Sequence, residues 1–177
     1  MADELRANLR QKERLAALGG AVARIAHDLR NMLATAQIVT ERLAAQTRGL
    51  VWEHWQRDAA GAWTPDWQYN RGDRTNIFRP WGYQTGHLTE WAKLLLQLER
   101  ALPEGERPPW IVPRSRHFFD TAMARGWDHA HGGLVYGFGP DGAVCDADKY
   151  FWVQAESFAA AALLALRSGD AAYWSWY

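Results

Sequence analysis

The sequence predicts an all-α protein that carries one short β-hairpin, and three observations lead to this fold class. Apolar residues recur at alternating spacings of three and four along the N-terminal segment, which is typical of a helix that packs on another helix. Three later segments show helical patterns of their own. A glycine-rich stretch with alternating apolar residues, 127–149, predicts the hairpin, with its turn at 139–142.

Composition excludes several classes of protein. The 177 residues include 20 Lys and Arg against 20 Asp and Glu, so the net charge of zero argues against a nucleic-acid or polybasic membrane-surface partner. A hydrophobic content of 48% excludes a disordered chain. The single Cys145 excludes a disulfide framework and a multi-cysteine zinc site. No apolar run is long enough for a membrane span, and the N-terminus shows no signal peptide, so we expect a cytoplasmic protein.

Aromatic residues are distributed unevenly along the chain. The 11 Trp, 6 Tyr and 6 Phe all fall after residue 48. Because the aromatic content differs so strongly on the two sides of residue 48, we predict two segments, 1–48 and 49–177, of different origin.

The first segment predicts one long helix over most of residues 5–45. Its apolar seam has no core of its own, so we expect it to form a homodimer or to dock on the rest of the chain. His27 lies half a turn from the seam and is expected to point to solvent, as an ordinary surface histidine does. The seam residues are Leu15, Leu18, Val22, Ile25, Leu29, Met32, Ala36, Val39 and Leu43.

The stretch around His27 resembles the dimerisation and phosphotransfer helix of sensor histidine kinases. The similarity covers about residues 10–45 and centres on the sequence AHDLRN at 26–31. It implies that His27 is a phosphoacceptor and that Asp28 accepts its proton. The rest of the kinase pattern is not found after Ala45.

The second segment begins with residues 49–60, which predict a helix end, and continues with 61–86, which predict a long irregular loop. Aromatic loops rich in Asn, Asp and Arg suit carbohydrate, because the rings cover the apolar face of a sugar and the polar groups bind its hydroxyls.

Helices are then predicted over 85–102, 112–125 and 150–167, and a further one opens at Ala171. His87 and Glu90 share a face at the start of the first of them, either as a base and its partner or as an ordinary capping pair. The pattern of 150–167 is apolar nearly all round, which predicts a buried helix.

Four motifs of this segment resemble the N-acylglucosamine 2-epimerase family, and within it the mannose-type aldose–ketose isomerases. They are YNR through FRPWGYQ at 69–84, GHLTEW at 86–91, GWD with HGG at 126–133, and DKYFWVQAE at 148–156. The resemblance implies an (α/α)6 toroid of helical hairpins, of which residues 49–177 form a part with the β-hairpin as an insertion.

The resemblance also implies a chemistry and a set of site residues. The family moves a proton at the carbon next to a sugar carbonyl through an enediol, without cofactor or metal. His87 and Glu90 match its catalytic pair, and Trp152 and Glu156 match substrate-binding residues. We expect these four to face one concavity with aromatic residues of 63–83. Trp81 is a further candidate for substrate binding, and Asp128, His131 and Lys149 are weaker ones.

Three hypotheses about function follow. The chain is a sugar isomerase or epimerase whose catalytic domain is incomplete, a histidine phosphotransfer module of a two-component system, or a fusion of two gene fragments without a function as a unit. The missing hairpins of the toroid lead us to expect little or no turnover of mannose.

Overall fold

The structure is a computed structural model that describes residues 11, 34–37, 41, 45–73 and 75–177. It separates into two compact units, residues 1–39 and 40–177. In the first unit, residue 11 and residues 34–37 are helical. Most of the helix predicted over 5–45 lies outside the described residues, and so do His27 and Asp28. The long N-terminal helix and the phosphoacceptor therefore stay predictions.

From residue 47 onward, the described residues include three α-helices. Their bounds differ from the predicted ones by no more than one residue at each end. Helix α1 spans Thr85–Ala101, α2 spans Ile111–Gly126 and α3 spans Phe151–Ser168. Gly169 ends α3 with a left-handed backbone (φ 71°), a conformation that glycine adopts without strain. Pro103 follows the end of α1 and cannot continue the helix.

Helix α1 is the central helix and packs on both α2 and α3. The start of α1 touches the end of α2, since a Cβ on Gly126 would lie 2.4 Å from the Thr85 side chain. Helices α1 and α2 are therefore antiparallel. By contrast, α1 and α3 run parallel, because paired side chains follow the same order along both of them. The core between the helices includes Leu88, Ala92, Leu95, Phe118, Phe119, Ala122, Val153, Ala160 and Leu164.

Two small antiparallel sheets accompany the helices, which corrects the all-α prediction. Strands β1 (Trp55–Arg57) and β2 (Trp63–Pro65) form a hairpin. Strands β3 (Tyr83–Gln84), β4 (Gly137–Phe138) and β5 (Val144–Asp146) form a three-stranded sheet in that order. The predicted hairpin is confirmed as β4–β5, and its turn places Gly142 at φ 84°.

The prediction of a helix end at 49–60 and of an irregular loop after it is wrong in part. Residues 55–57 and 63–65 pair as strands instead, and the carboxylate of Asp58 accepts bonds from the backbone of Ala60 and Ala62 in the turn. The buried Trp52 anchors this region, because its ring packs against Trp67, 4.6 Å away between centroids.

Helix α3 is not buried all round, contrary to the prediction. Val153 and Leu164 are fully buried, whereas Phe151 is 97% exposed and Leu166 is 70% exposed. Among the described residues, the covered face of α3 meets α1, α2 and the following 3-10 helix, Ala171–Trp176. That segment was predicted to open a further helix, and Tyr173 attaches it to α2 by donating a hydrogen bond to Asp120. Within the part of the chain that is described, no helix has both the length and the apolar character to cross a bilayer.

Candidate active site

The candidate site lies where the N-terminal ends of the parallel helices α1 and α3 come together. His87 stands in the first turn of α1 and Trp152 in the first turn of α3, with ring centroids 5.2 Å apart and planes at 42°. Gly86 makes this approach possible, since a Cβ there would lie 2.5 Å from two atoms of the Trp152 indole. The glycine of the GHLTEW motif thus has a packing role.

Glu53 is the direct partner of His87. The Nδ1 atom of His87 is hydrogen bonded to one oxygen of the Glu53 carboxylate. The other oxygen accepts a bond of 3.0 Å from Nε2 of Gln84, a buried residue at the end of β3. A chain of three side chains, Gln84–Glu53–His87, therefore connects the sheet to the first turn of α1.

The neighbours of Glu53 fix its position. Trp52 is buried and donates through Nε1 to the carbonyl of Asp66 at 3.2 Å. The His54 ring is bonded through Nε2 to the carbonyl of Pro80 at 2.9 Å and stacks on Tyr69 at 4.3 Å. Because residues on both sides of Glu53 are held, its side chain is directed at His87.

Electrostatics at His87 favour the protonated ring. Burial lowers the pKa of His87, but the hydrogen bond and the charge of Glu53, together with the charge of Glu90, more than offset this effect and raise the pKa above its ordinary value of 6.5. The side chain is 34% exposed, so solvent and small molecules reach the ring. A partly exposed imidazole that titrates above 6.5 can accept or donate a proton near neutral pH.

A second polar link between the two helices lies further along them. Glu156 of α3 forms an ion pair with Lys93 of α1, and both side chains are largely buried. Lys93 follows His87 and Glu90 at intervals of three residues, so all three lie along one side of α1. Trp152 and Glu156 are likewise one turn apart on α3.

The remaining substrate-binding candidates lie in other surroundings. Trp81 donates through Nε1 to the carbonyl of Trp67 at 2.7 Å and meets the edge of Trp52, so it belongs to the aromatic cluster under the loop. Asp128 accepts from Lys149 at 2.6 Å and is bonded to His131 at 3.2 Å. The bond from Lys149 is the main reason that the pKa of Asp128 is held well below its usual range.

The structure thus brings His87 and Trp152 into contact, and it places Glu90 close enough to act on the charge of His87. Sequence reasoning missed Glu53, Gln84 and Lys93. Glu53 lies in the WEHW stretch, where an acidic residue between two residues with anchoring side chains was the available signal. Among the described residues, no group of three or more His, Cys, Asp and Glu side chains is placed to hold a metal ion.

Comparisons with known proteins define the class first. The family model described as N-acylglucosamine 2-epimerase (GlcNAc 2-epimerase) matches residues 21–177, and the chain belongs to this family. The match includes residues 26–31, for which we noted a resemblance to a kinase helix. Nothing in the comparisons supports that resemblance.

Individual relatives are D-mannose isomerases. One from Marinomonas mediterranea is 53% identical over 127 residues, which are 72% of this chain and 30% of the relative. Another from Thermobifida fusca is 42% identical over 119 residues, 64% of this chain and 29% of the relative. A crystal structure of D-mannose isomerase superposes with a TM-score of 0.75 and 45% identity, over 84% of this chain and 36% of that one. The chain therefore spans about a third of the length of the relatives it matches.

Proposed function

We propose that this chain carries part of the catalytic centre of an aldose–ketose isomerase that acts on mannose or a closely related sugar, with His87 as the general base. The observation that carries the proposal is the contact between His87 and Trp152 at the joined ends of α1 and α3. Membership of the epimerase family and similarity to proteins named D-mannose isomerase support the class of substrate.

The reaction needs one group that moves a proton between two neighbouring carbons. Neutral His87 takes the proton from C2 of the open-chain aldose. The electron pair of the broken C–H bond forms the C1–C2 double bond, and O1 takes a proton from solvent to complete the enediol. Delivery of the proton on His87 to C1, with loss of the O2 proton to solvent, gives the ketose, and delivery of a solvent proton to the opposite face of C2, with loss of the O1 proton, gives the 2-epimer. A histidine has a pKa near the working pH, which is the condition for efficient proton transfer in both directions.

The remaining residues take supporting roles in this proposal. Trp152 keeps about a third of its surface exposed next to His87, and its indole can cover the apolar face of a sugar. Glu90 tunes the charge of His87, and Glu156 binds a sugar hydroxyl beside its partner Lys93. Trp81, Asp128, His131 and Lys149 are assigned to the support of the loops, since their polar groups bond to other parts of the chain.

Proton exchange at C2 is the step that we expect to detect with this chain, because the relatives are about three times as long as the part that matches. We propose that the described residues form an incomplete catalytic domain. A single base in an open site gives slow exchange, and net conversion of mannose is expected to be small.

The test is deuterium uptake at C2 of mannose, followed by NMR in D2O with the 177-residue chain. We expect slow uptake with the wild-type chain. His87→Ala should reduce the uptake attributable to the protein by about 10²–10⁴-fold, which is the usual share of general acid–base catalysis. His129→Ala is the matched control, because His129 is exposed and outside the site.

Two outcomes would count against the proposal. Uptake that is the same in wild type and His87→Ala would remove His87 from the reaction. Deuterium uptake with the wild-type chain that is no faster than uptake in buffer alone would exclude exchange by these residues.

A further inference from the structure

We propose that Glu53 is the positioning residue of His87: its carboxylate accepts the hydrogen bond that Nδ1–H donates and so fixes the ring in the tautomer whose free lone pair is on Nε2. The inference rests on the proposed function for its role in catalysis, but the pairing itself can be tested without any sugar. Glu53 does not match any of the motifs by which the sequence resembles its family.

The tautomer follows from the chemistry of the two partners. An ionised carboxylate only accepts hydrogen bonds, so the ring nitrogen bonded to Glu53 must carry the hydrogen. A neutral histidine has one N–H and one lone pair. With Nδ1 protonated, Nε2 is the only ring nitrogen that can take a proton from a substrate.

Three contacts besides His87 hold Glu53 in place, one on its carboxylate and two on its neighbours in the chain. Its second oxygen is held by Gln84, whose own backbone is part of the β3–β4 pairing opposite Gly137. Trp52 and His54 hold the chain on either side. In an incidental surface ion pair the side chains are loosely held. The buried amide of Gln84, bonded to the second oxygen, distinguishes the Glu53 pair from such a contact.

The other groups around His87 differ from Glu53 in how they act on its pKa. Glu90 lies on the same helix, Trp152 faces the ring from α3 and carries no charge, and the Lys93–Glu156 pair lies further along. Glu53 contributes both a hydrogen bond and a charge to the raised pKa of His87, whereas Glu90 contributes a charge alone.

The experiment is a pH titration of His87 by 15N NMR in the intact chain, without sugar. In the wild type we expect a pKa above 6.5 and, in the neutral ring, nitrogen shifts that report a proton on Nδ1. In Glu53→Gln the pKa should fall to 6.5 or below, because burial is then opposed by Glu90 alone, and the neutral ring should become a mixture of tautomers. Glu106→Gln is the matched control, since Glu106 is exposed in the 3-10 helix Glu104–Glu106.

A second variant separates charge from geometry. Glu53→Asp keeps the charge on a shorter side chain, so it should retain part of the raised pKa and part of the tautomer preference. Both variants change a partly exposed side chain, and their folding is checked by circular dichroism. If the pKa and tautomer of His87 are the same in wild type, Glu53→Gln and Glu53→Asp, the proposal is overturned.

Deuterium uptake by mannose tells the two proposals apart. If both hold, Glu53→Gln lowers the exchange rate at saturating mannose by about tenfold or more, while the mannose concentration at half-saturation stays the same. If the titration behaves as expected but the wild-type chain exchanges no deuterium, the proposed function fails and the positioning role of Glu53 stands. If exchange occurs and Glu53→Gln leaves its rate unchanged, Glu53 has no role in it.

Discussion

A charged pair lies near each end of the contact between helices α1 and α3, and the two pairs differ in burial and in the kind of cation. At the C-terminal end, Glu99 is only 4% exposed and accepts three bonds of 2.7–2.9 Å from the guanidinium of Arg167. At the N-terminal end the cation is His87, whose charge changes near neutral pH. An arginine stays charged throughout. The first pair therefore suits a constant structural bond, and the second suits a group that exchanges protons.

Removal of the arginine should have the largest effect on stability. Arg167→Ala leaves the buried carboxylate of Glu99 without its partner, and we expect a loss of about 2–3 kcal/mol in the free energy of unfolding, measured by urea denaturation. Arg100→Ala, an exposed residue in the last turn of α1, is the control and should change little. The double variant Glu99→Gln with Arg167→Ala should recover part of the loss, because an amide is less costly to bury than a carboxylate. Equal effects of Arg167→Ala and Arg100→Ala would show that the C-terminal pair is no stronger than a surface contact.

Packing at the N-terminal end is the next feature to test. Gly86→Ala places a Cβ 2.5 Å from the Trp152 ring and 2.8 Å from Val153, so the indole must shift away from His87. Overpacking costs about 1–3 kcal/mol, and the better helix propensity of alanine returns up to about 1 kcal/mol, so a net loss of up to about 2 kcal/mol is expected in the same denaturation assay. Gly105→Ala is the control, since no atom lies within 4 Å of its Cβ position. Unchanged stability together with unchanged tryptophan fluorescence would mean that Trp152 is not held against Gly86.

The sequence allows the helices and the β4–β5 hairpin to be predicted because both depend on local patterns. Leu88, Leu95 and their neighbours repeat with the helical period, and Pro103 and Gly169 mark the ends. The Gly-Pro-Asp-Gly run from Gly139 specifies the turn. The β1–β2 hairpin escapes prediction because its strands are three residues long and its stability comes from the tertiary packing of Trp52 rather than from alternation.

The candidate site could be predicted in part for the same reason. His87 and Glu90 share a helix face by spacing alone, and Trp152 and Glu156 do so on α3. The partners Glu53 and Lys93 come from elsewhere: Glu53 is 34 residues from His87, and the Lys93 bond crosses between two helices. No periodicity relates such positions, so only the fold shows that they meet.

The smallest expected effect concerns pH and separates the two ends most sharply. The folded-state pKa of His87 is raised, so the charge of the ring adds to its pairing with Glu53 a stability that is complete below about pH 6.5 and disappears as pH rises through the raised pKa. Because both side chains are partly exposed, the contribution should stay below about 1 kcal/mol. We therefore expect the deficit of Glu53→Gln against wild type in urea to be larger at pH 5.5 than at pH 9, where only the hydrogen bond to the neutral ring remains, whereas Arg167→Ala should show the same deficit at both values. A deficit of Glu53→Gln that does not change between pH 5.5 and 9 would mean that the N-terminal bond does not depend on the charge of His87, and the contrast between the two ends would be lost.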